Sequence, residues 1–142
     1  EYRKMIQRSL MQIGNTARLQ RVIQKAKAGE DVTVAFIGGS ITQGAGAVPI
    51  HTKCYAHRTY EEFSKCFGTG ENVHFIKAGV GGTPSQLGII RFERDILRDG
   101  VVEPDLVVVE FAGNDFYFDF LITKLNFMFL LIITGRSSLF TL

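Results

Sequence analysis

The stretch "VTVAFIGGSITQGAGA", residues 32–47, decides the fold. Residues 32–37 are a short run of β-branched and aromatic side chains, which indicates a buried strand. Two glycines end this run, and Ser40 follows them directly. The turn raises three alternatives: Ser40 attacks a substrate, the glycines bind a phosphate, or the segment is only a tight turn.

Two further strands are predicted, "NVHFIKAGV" at residues 72–80 and "PDLVVVEF" at residues 104–111. Helical spacing of apolar residues predicts a first helix over 2–13, and a second between a capping Asn15 and Gly29. Each of the first two strands is then followed by a further helix.

Capping patterns set the predicted limits of these two later helices. In "HRTYEEFSKCFG", residues 57–68, Thr59 and Glu62 form a capping box, and the helix closes at Gly68. Over residues 83–100, Thr83 is the predicted cap, Pro84 the first helical residue, Gln86 the end of the box, and Gly100 the stop.

The alternation of strands and helices predicts an α/β fold with a parallel sheet and helices on its faces. Ligands bind such sheets beyond the carboxyl ends of the strands. The three strands end in "GGS", "AGVGGT" and "AGND". We therefore expect these three ends to meet at one edge of the sheet and to form the functional site.

Composition limits the remaining classes of function. The chain has 142 residues and a net charge of +2, which predicts one domain and gives no basis for nucleic-acid binding. Two cysteines, Cys54 and Cys66, are too few for a disulfide scaffold. No signal peptide is visible, but the chain begins at Glu1, so a cytoplasmic and a secreted location both stay open.

The tail over residues 116–142 is atypically apolar for this fold. Residues 116–133 are dense in Phe, Leu and Ile, but Asp119, Lys124 and Asn126 interrupt them, which counts against a membrane span. We expect a buried helix or strand there, and the oligomeric state stays open.

The phosphate alternative fails on the motif. Gly39 and Gly44 have the spacing of a P-loop, but Ala45 stands where the motif requires lysine. The dinucleotide pattern also fails from Gly38 onward. The structural alternative is that Ser40 caps a helix, with Gln43 three residues later completing a capping box.

Acyl transfer to serine needs an oxyanion hole, which consists of N–H donors directed at the tetrahedral oxygen. Gly82 and Asn114, at the ends of the second and third strands, are the candidate donors. A plain turn glycine and an Asx-turn residue are their structural alternatives.

The sequence resembles the SGNH hydrolases, also called GDSL-type esterases and lipases. The resemblance rests on "FIGGSITQGAG", "IKAGVGGTPSQLGIIRFERDIL" and "PDLVVVEFAGND", which occur in the family's order. It implies Ser40 as the nucleophile, and Gly82 and Asn114 as oxyanion donors beside the Ser40 amide. It also implies a three-layer α/β/α sandwich of flavodoxin-like type, without a metal or an organic cofactor. The "GGSIT" variant resembles bacterial members that act on carbohydrate esters, so the implied substrate is a small-molecule or carbohydrate acyl ester.

The resemblance stops before the catalytic base. The family takes its Asp and His from a D-x-x-H motif near the C-terminus, but residues 116–142 contain no histidine. His51 and His57 come soon after the turn that carries Ser40, so a loop could bring one of them to Ser40 as a base. His74 lies within the second strand and is expected to be packed or edge-exposed. Glu110 lies inside the third strand and Asp115 is expected to orient turns, so both are poor substitutes.

We therefore interpret residues 1–142 as a single, truncated SGNH-like domain with an incomplete sheet. Its expected activity is ester hydrolysis that is weak or absent. The alternative is a non-catalytic α/β module that binds a ligand or partner through the same three loops.

Overall fold

The computed structural model describes residues 2–9, 15–115 and 130–132 of the chain. The helices and strands are α1 (Tyr2–Ser9), α2 (Ala17–Lys27), β1 (Val32–Gly38), α3 (Ser40–Gln43), α4 (Tyr55–Phe67), β2 (Val73–Gly79), α5 (Ser85–Phe92), a π-helical turn (Glu93–Leu97), β3 (Leu106–Glu110) and β4 (Leu130–Ile132). None of the helices within these ranges is long and apolar enough to cross a membrane.

The four strands form one sheet in the order β2-β1-β3-β4. β1 pairs in parallel with both β2 and β3, which confirms the predicted parallel sheet. β4 pairs antiparallel with β3. Residues 130–132 of the tail therefore form a strand, which is one of the two structures predicted there. The rest of the tail lies outside the described residues, and the assignment of residues 1–142 to one truncated domain stays a prediction.

Side chains of β1 alternate between two buried clusters, because successive residues of a strand point to opposite faces. One cluster joins β1 to α2 and α4 through Val34, Phe36, Val22 and Phe63. The other joins it to the π-helical turn and to Phe111 through Ile37 and Ile96. Helices therefore cover both faces of the sheet, which confirms the α/β/α arrangement.

The predicted capping box of α4 is wrong. The helix begins at Tyr55, so Thr59 lies within it rather than at its start. Tertiary contacts extend the first turn, since Ala56 is fully buried and the Tyr55 hydroxyl lies 2.9 Å from Thr42 Oγ1. The predicted end at Gly68 is confirmed.

The cap of α5 also differs from the prediction. The Thr83 hydroxyl donates to the carbonyl of Val80 at 2.7 Å, and Pro84 has extended backbone angles rather than helical ones. The first helical amide, of Ser85, donates instead to Asp115 Oδ1 at 2.7 Å. The acceptor comes from the end of β3, 30 residues away in the sequence, where no local pattern could indicate it.

Candidate active site at the strand ends

The three parallel strands end at the same level of the sheet. Gly38, the last residue of β1, is in register with Gly79 of β2 and with Glu110 of β3. The chain passes from β1 outward to β2 and then crosses to the opposite side of β1. The loops after these strands therefore surround the position where the strand order reverses, which is where such sheets bind ligands.

Ser40 is the first residue of α3, directly after β1. The preceding amide, of Gly39, donates to the carbonyl of Glu110 at 3.0 Å and fixes the turn to the end of β3. The capping-box interpretation of Ser40 is wrong, because no side-chain cap is formed at this helix and the Gln43 carboxamide bonds elsewhere. The Ser40 hydroxyl is half-buried and has no hydrogen-bond partner among the described residues.

Asn114 and the loop that contains Gly82 lie beside the turn that carries Ser40. A Cβ atom placed on Gly39 would lie 2.8 Å from Asn114 Oδ1, so the Asn114 side chain lies directly against the turn that carries Ser40. A Cβ atom placed on Gly81 would lie 3.7 Å from the Ser40 Cβ. Gly82 comes next, with a φ of +74° that favours glycine and with open space beside it.

Three N–H donors in this region are unoccupied. Within the part of the chain that the structure describes, the backbone amides of Ser40 and Gly82 and the carboxamide nitrogen of Asn114 have no acceptor. N–H donors without an acceptor can stabilise an oxyanion when they face it. The arrangement is therefore chemically suited to attack on an ester carbonyl.

Side-chain hydrogen bonds connect the segment after β1 to the loops after β2 and β3. Gln43 Oε1 accepts from the amide of Gly81 at 2.9 Å, which joins α3 to the loop after β2. The Thr42 hydroxyl donates to Glu110 Oε2 at 3.2 Å, and Glu110 Oε1 accepts from the amide of Ala112 at 3.1 Å. These contacts join α3 to the loop after β3.

The remaining pair, the loops after β2 and β3, is joined by the hydrogen bond from Ser85 to Asp115. Asp115 was expected to orient local turns, but its carboxylate instead joins a loop 30 residues away in the sequence. Sequence reasoning missed Thr42 and Gln43 as structural residues of the site. The signal available in the sequence was Glu110, at the end of the apolar run of β3. A buried carboxylate requires hydrogen-bond partners, so its position indicated that polar side chains lie nearby.

Tyr55 completes the buried network around Thr42. The Thr42 hydroxyl has one proton, which it donates to Glu110, so the Tyr55 hydroxyl donates to Thr42. Burial raises the pKa of Tyr55 from 10.0 to about 12, and the charge of Glu110 adds to this rise. Tyr55 is therefore a neutral donor at physiological pH.

We expect Tyr55 to ionise at a higher pH than an ordinary tyrosine, because burial raises its pKa to about 12. The folded-state pKa lies above the unfolded value, so this group's contribution to stability is complete below pH 10.0 and is lost as the pH rises through about 12. Titration of tyrosinate absorbance in the wild type and in Tyr55→Phe measures this. A late phase that persists in Tyr55→Phe would contradict the assignment.

The three histidines of the sequence are all described, and none is hydrogen-bonded to Ser40. The His57 ring lies in α4, with its centroid 5.6 Å from that of Phe75, and His74 Nε2 lies 2.9 Å from Asp31 Oδ1. His51 is exposed in the loop before α4. Within the described ranges, no group of three His, Cys, Asp or Glu side chains could hold a metal ion.

Comparison with known proteins gives matches among solved structures. No protein-family model and no curated protein matches the sequence. The structure is similar to that of a two-domain esterase active on acetylated mannans, crystallised with mannopentaose, with 44% identity and a TM-score of 0.64. A second structure of such an esterase gives the same values. An acetyl xylan esterase from Geobacillus stearothermophilus is 21% identical, with a TM-score of 0.44, over 69% of this chain and 47% of that chain.

The similarity to the mannan esterase covers 72% of this chain and 26% of that one. The present chain therefore spans about a quarter of the length of the esterase it matches.

Proposed function

We propose that this chain carries the nucleophile and the oxyanion hole of a serine esterase of the SGNH type. The observation that supports the proposal is the Ser40 hydroxyl, which has no hydrogen-bond partner among the described residues and lies on a turn beside Asn114 and the loop that contains Gly82. The capping and phosphate alternatives both lack the contacts or residues they require.

The proposed reaction proceeds in two steps. Ser40 Oγ attacks the carbonyl carbon of the ester, and the three donors stabilise the negative charge on the carbonyl oxygen. The bond to the alcohol oxygen then breaks, and the alcohol leaves with the proton from Ser40. Water attacks the resulting acyl-Ser40 ester, releases the carboxylic acid and restores the serine hydroxyl.

The proton transfer needs a base, and the described residues place none beside Ser40. A serine hydroxyl is a weak nucleophile without an adjacent base. We therefore propose that the chain on its own hydrolyses esters weakly or not at all, although its nucleophile and donors are in place.

An O-acetylated carbohydrate is the substrate class that we propose. The support is the structural similarity to an esterase active on acetylated mannans, at 44% identity over 72% of this chain.

Added imidazole is expected to increase the activity of the wild type on an aryl acetate and on an acetylated manno-oligosaccharide. Imidazole is a small base that can reach the Ser40 hydroxyl and accept its proton. The measurement is acetate release against imidazole concentration, with Ser40→Ala as the matched control because imidazole itself cleaves aryl acetates. Equal rates in the two proteins at every imidazole concentration would refute the esterase assignment.

A non-catalytic binding module is the second candidate, and the absence of a base beside Ser40 is the observation that favours it. Calorimetric titration with the acetylated manno-oligosaccharide separates the two candidates. Binding without acetate release in saturating imidazole would favour the module.

A further inference from the structure

We propose that Gln43 is a positioning residue that selects the Gly82 amide, rather than the Gly81 amide, as the donor facing Ser40. This inference rests on the proposed function. It concerns the loop after β2, in which two successive glycine amides lie close to the nucleophile.

The backbone of Gln43 is held from several sides. Its amide donates to the carbonyl of Gly39 at 3.0 Å, and its carbonyl accepts from Lys77 Nζ at 3.2 Å. A Cβ atom on Gly79 would lie 2.1 Å from the Gln43 nitrogen, so β2 lies directly against this turn of α3. The Gln43 side chain therefore extends from a fixed backbone.

The carboxamide of Gln43 occupies one of the two glycine amides. Gln43 Oε1 accepts from the Gly81 amide at 2.9 Å, whereas the Gly82 amide has no acceptor within the described residues. Because the two amides are consecutive, fixing the direction of the first restricts the orientation of the second. Without this acceptor the glycine pair could rotate, and the Gly82 donor would lose its fixed direction.

Burial in the core does not explain the position of the Gln43 side chain. Its side chain is exposed, although it reaches across to another loop. Removal of one exposed hydrogen bond changes stability by only about 1 kcal/mol, so the fold should survive the substitution. A loss of reactivity in a folded variant would therefore report on the orientation of the donors.

The test is the rate at which a fluorophosphonate labels Ser40 in the presence of imidazole, measured over a range of probe concentrations. Labelling places the phosphonyl oxygen in the oxyanion hole. We expect Gln43→Met to lower the maximal rate about tenfold to a hundredfold, because misplaced groups lose rate steeply, and to leave the half-saturating concentration unchanged.

Two variants serve as controls. Gln43→Glu keeps an oxygen acceptor at the same length, so it should protect the Gly81 amide from hydrogen exchange as the wild type does and label faster than Gln43→Met. Gln20→Met is the same substitution at an exposed glutamine of α2, whose carboxamide hydrogen-bonds to Thr16 among the described residues, and should label at the wild-type rate.

The outcomes separate this inference from the proposed function. If the wild type is not labelled, the proposed function fails and the inference fails with it. If the wild type is labelled and Gln43→Met is equally fast, or if Gln43→Glu loses as much rate as Gln43→Met, only the inference is overturned. Loss of Gly81 protection together with a lower maximal rate in Gln43→Met supports it.

Discussion

Gly79→Ala is expected to lower the free energy of unfolding by about 3 kcal/mol or more, at the upper end of what overpacking costs. A Cβ atom at this position would lie 2.1 Å from the nitrogen of Gln43 and 2.4 Å from the carbonyl carbon of Thr42. Both are backbone atoms, so no side-chain rotation can relieve the contact. Either β2 or α3 would have to move.

Urea unfolding followed by circular dichroism measures this loss. Gly113→Ala is the matched control, because a Cβ atom there would meet only Ile41 Cδ1, at 4.0 Å, and should change stability by less than about 1 kcal/mol. Equal midpoints for the two variants would mean that β2 and α3 do not approach each other as described.

Asn114→Ala is expected to lower the maximal rate of Ser40 phosphonylation in imidazole about 10²-fold to 10³-fold, the usual effect of removing one oxyanion donor. The Asn114 side chain lies against Gly39, and its amide nitrogen has no acceptor within the described residues. Asn114→Asp is a second variant that keeps the shape but removes the N–H donor, so it should lose a similar factor.

Asn15→Ala provides the control for the same substitution away from the site. The Asn15 side chain accepts from the first amide of α2 at 2.9 Å, so its removal should cost about 1 kcal/mol of stability without changing the labelling rate. Labelling of Asn114→Ala at the wild-type rate would exclude Asn114 as a donor.

Much of the fold was predictable because its signals are local. A run of β-branched and aromatic residues marks β1, and β2 is also apolar except at His74 and Lys77. Since parallel strands end at the same edge, the convergence of Ser40, Gly82 and Asn114 followed from strand order alone. The roles of these three residues stay predictions, which the labelling experiments test.

The misplaced caps and the missed cross-links have one physical cause. A side-chain acceptor can come from anywhere in the chain, and only the folded structure shows which one is near. Asp115 displaces Thr83 as the cap of α5, and Gln43 turns away from Ser40 toward Gly81. In both cases a tertiary hydrogen bond replaced the local one that the sequence pattern indicated.

The hydrogen bond between Thr42 and Glu110 joins residues 68 positions apart. Closing so long a segment costs entropy before the contact forms, and such non-local pairings slow folding. The nucleophile turn cannot meet the loop after β3 until β1 and β3 have paired. Nascent chains and partly folded intermediates should therefore be unreactive toward the fluorophosphonate, and labelling of Ser40 would report completion of folding.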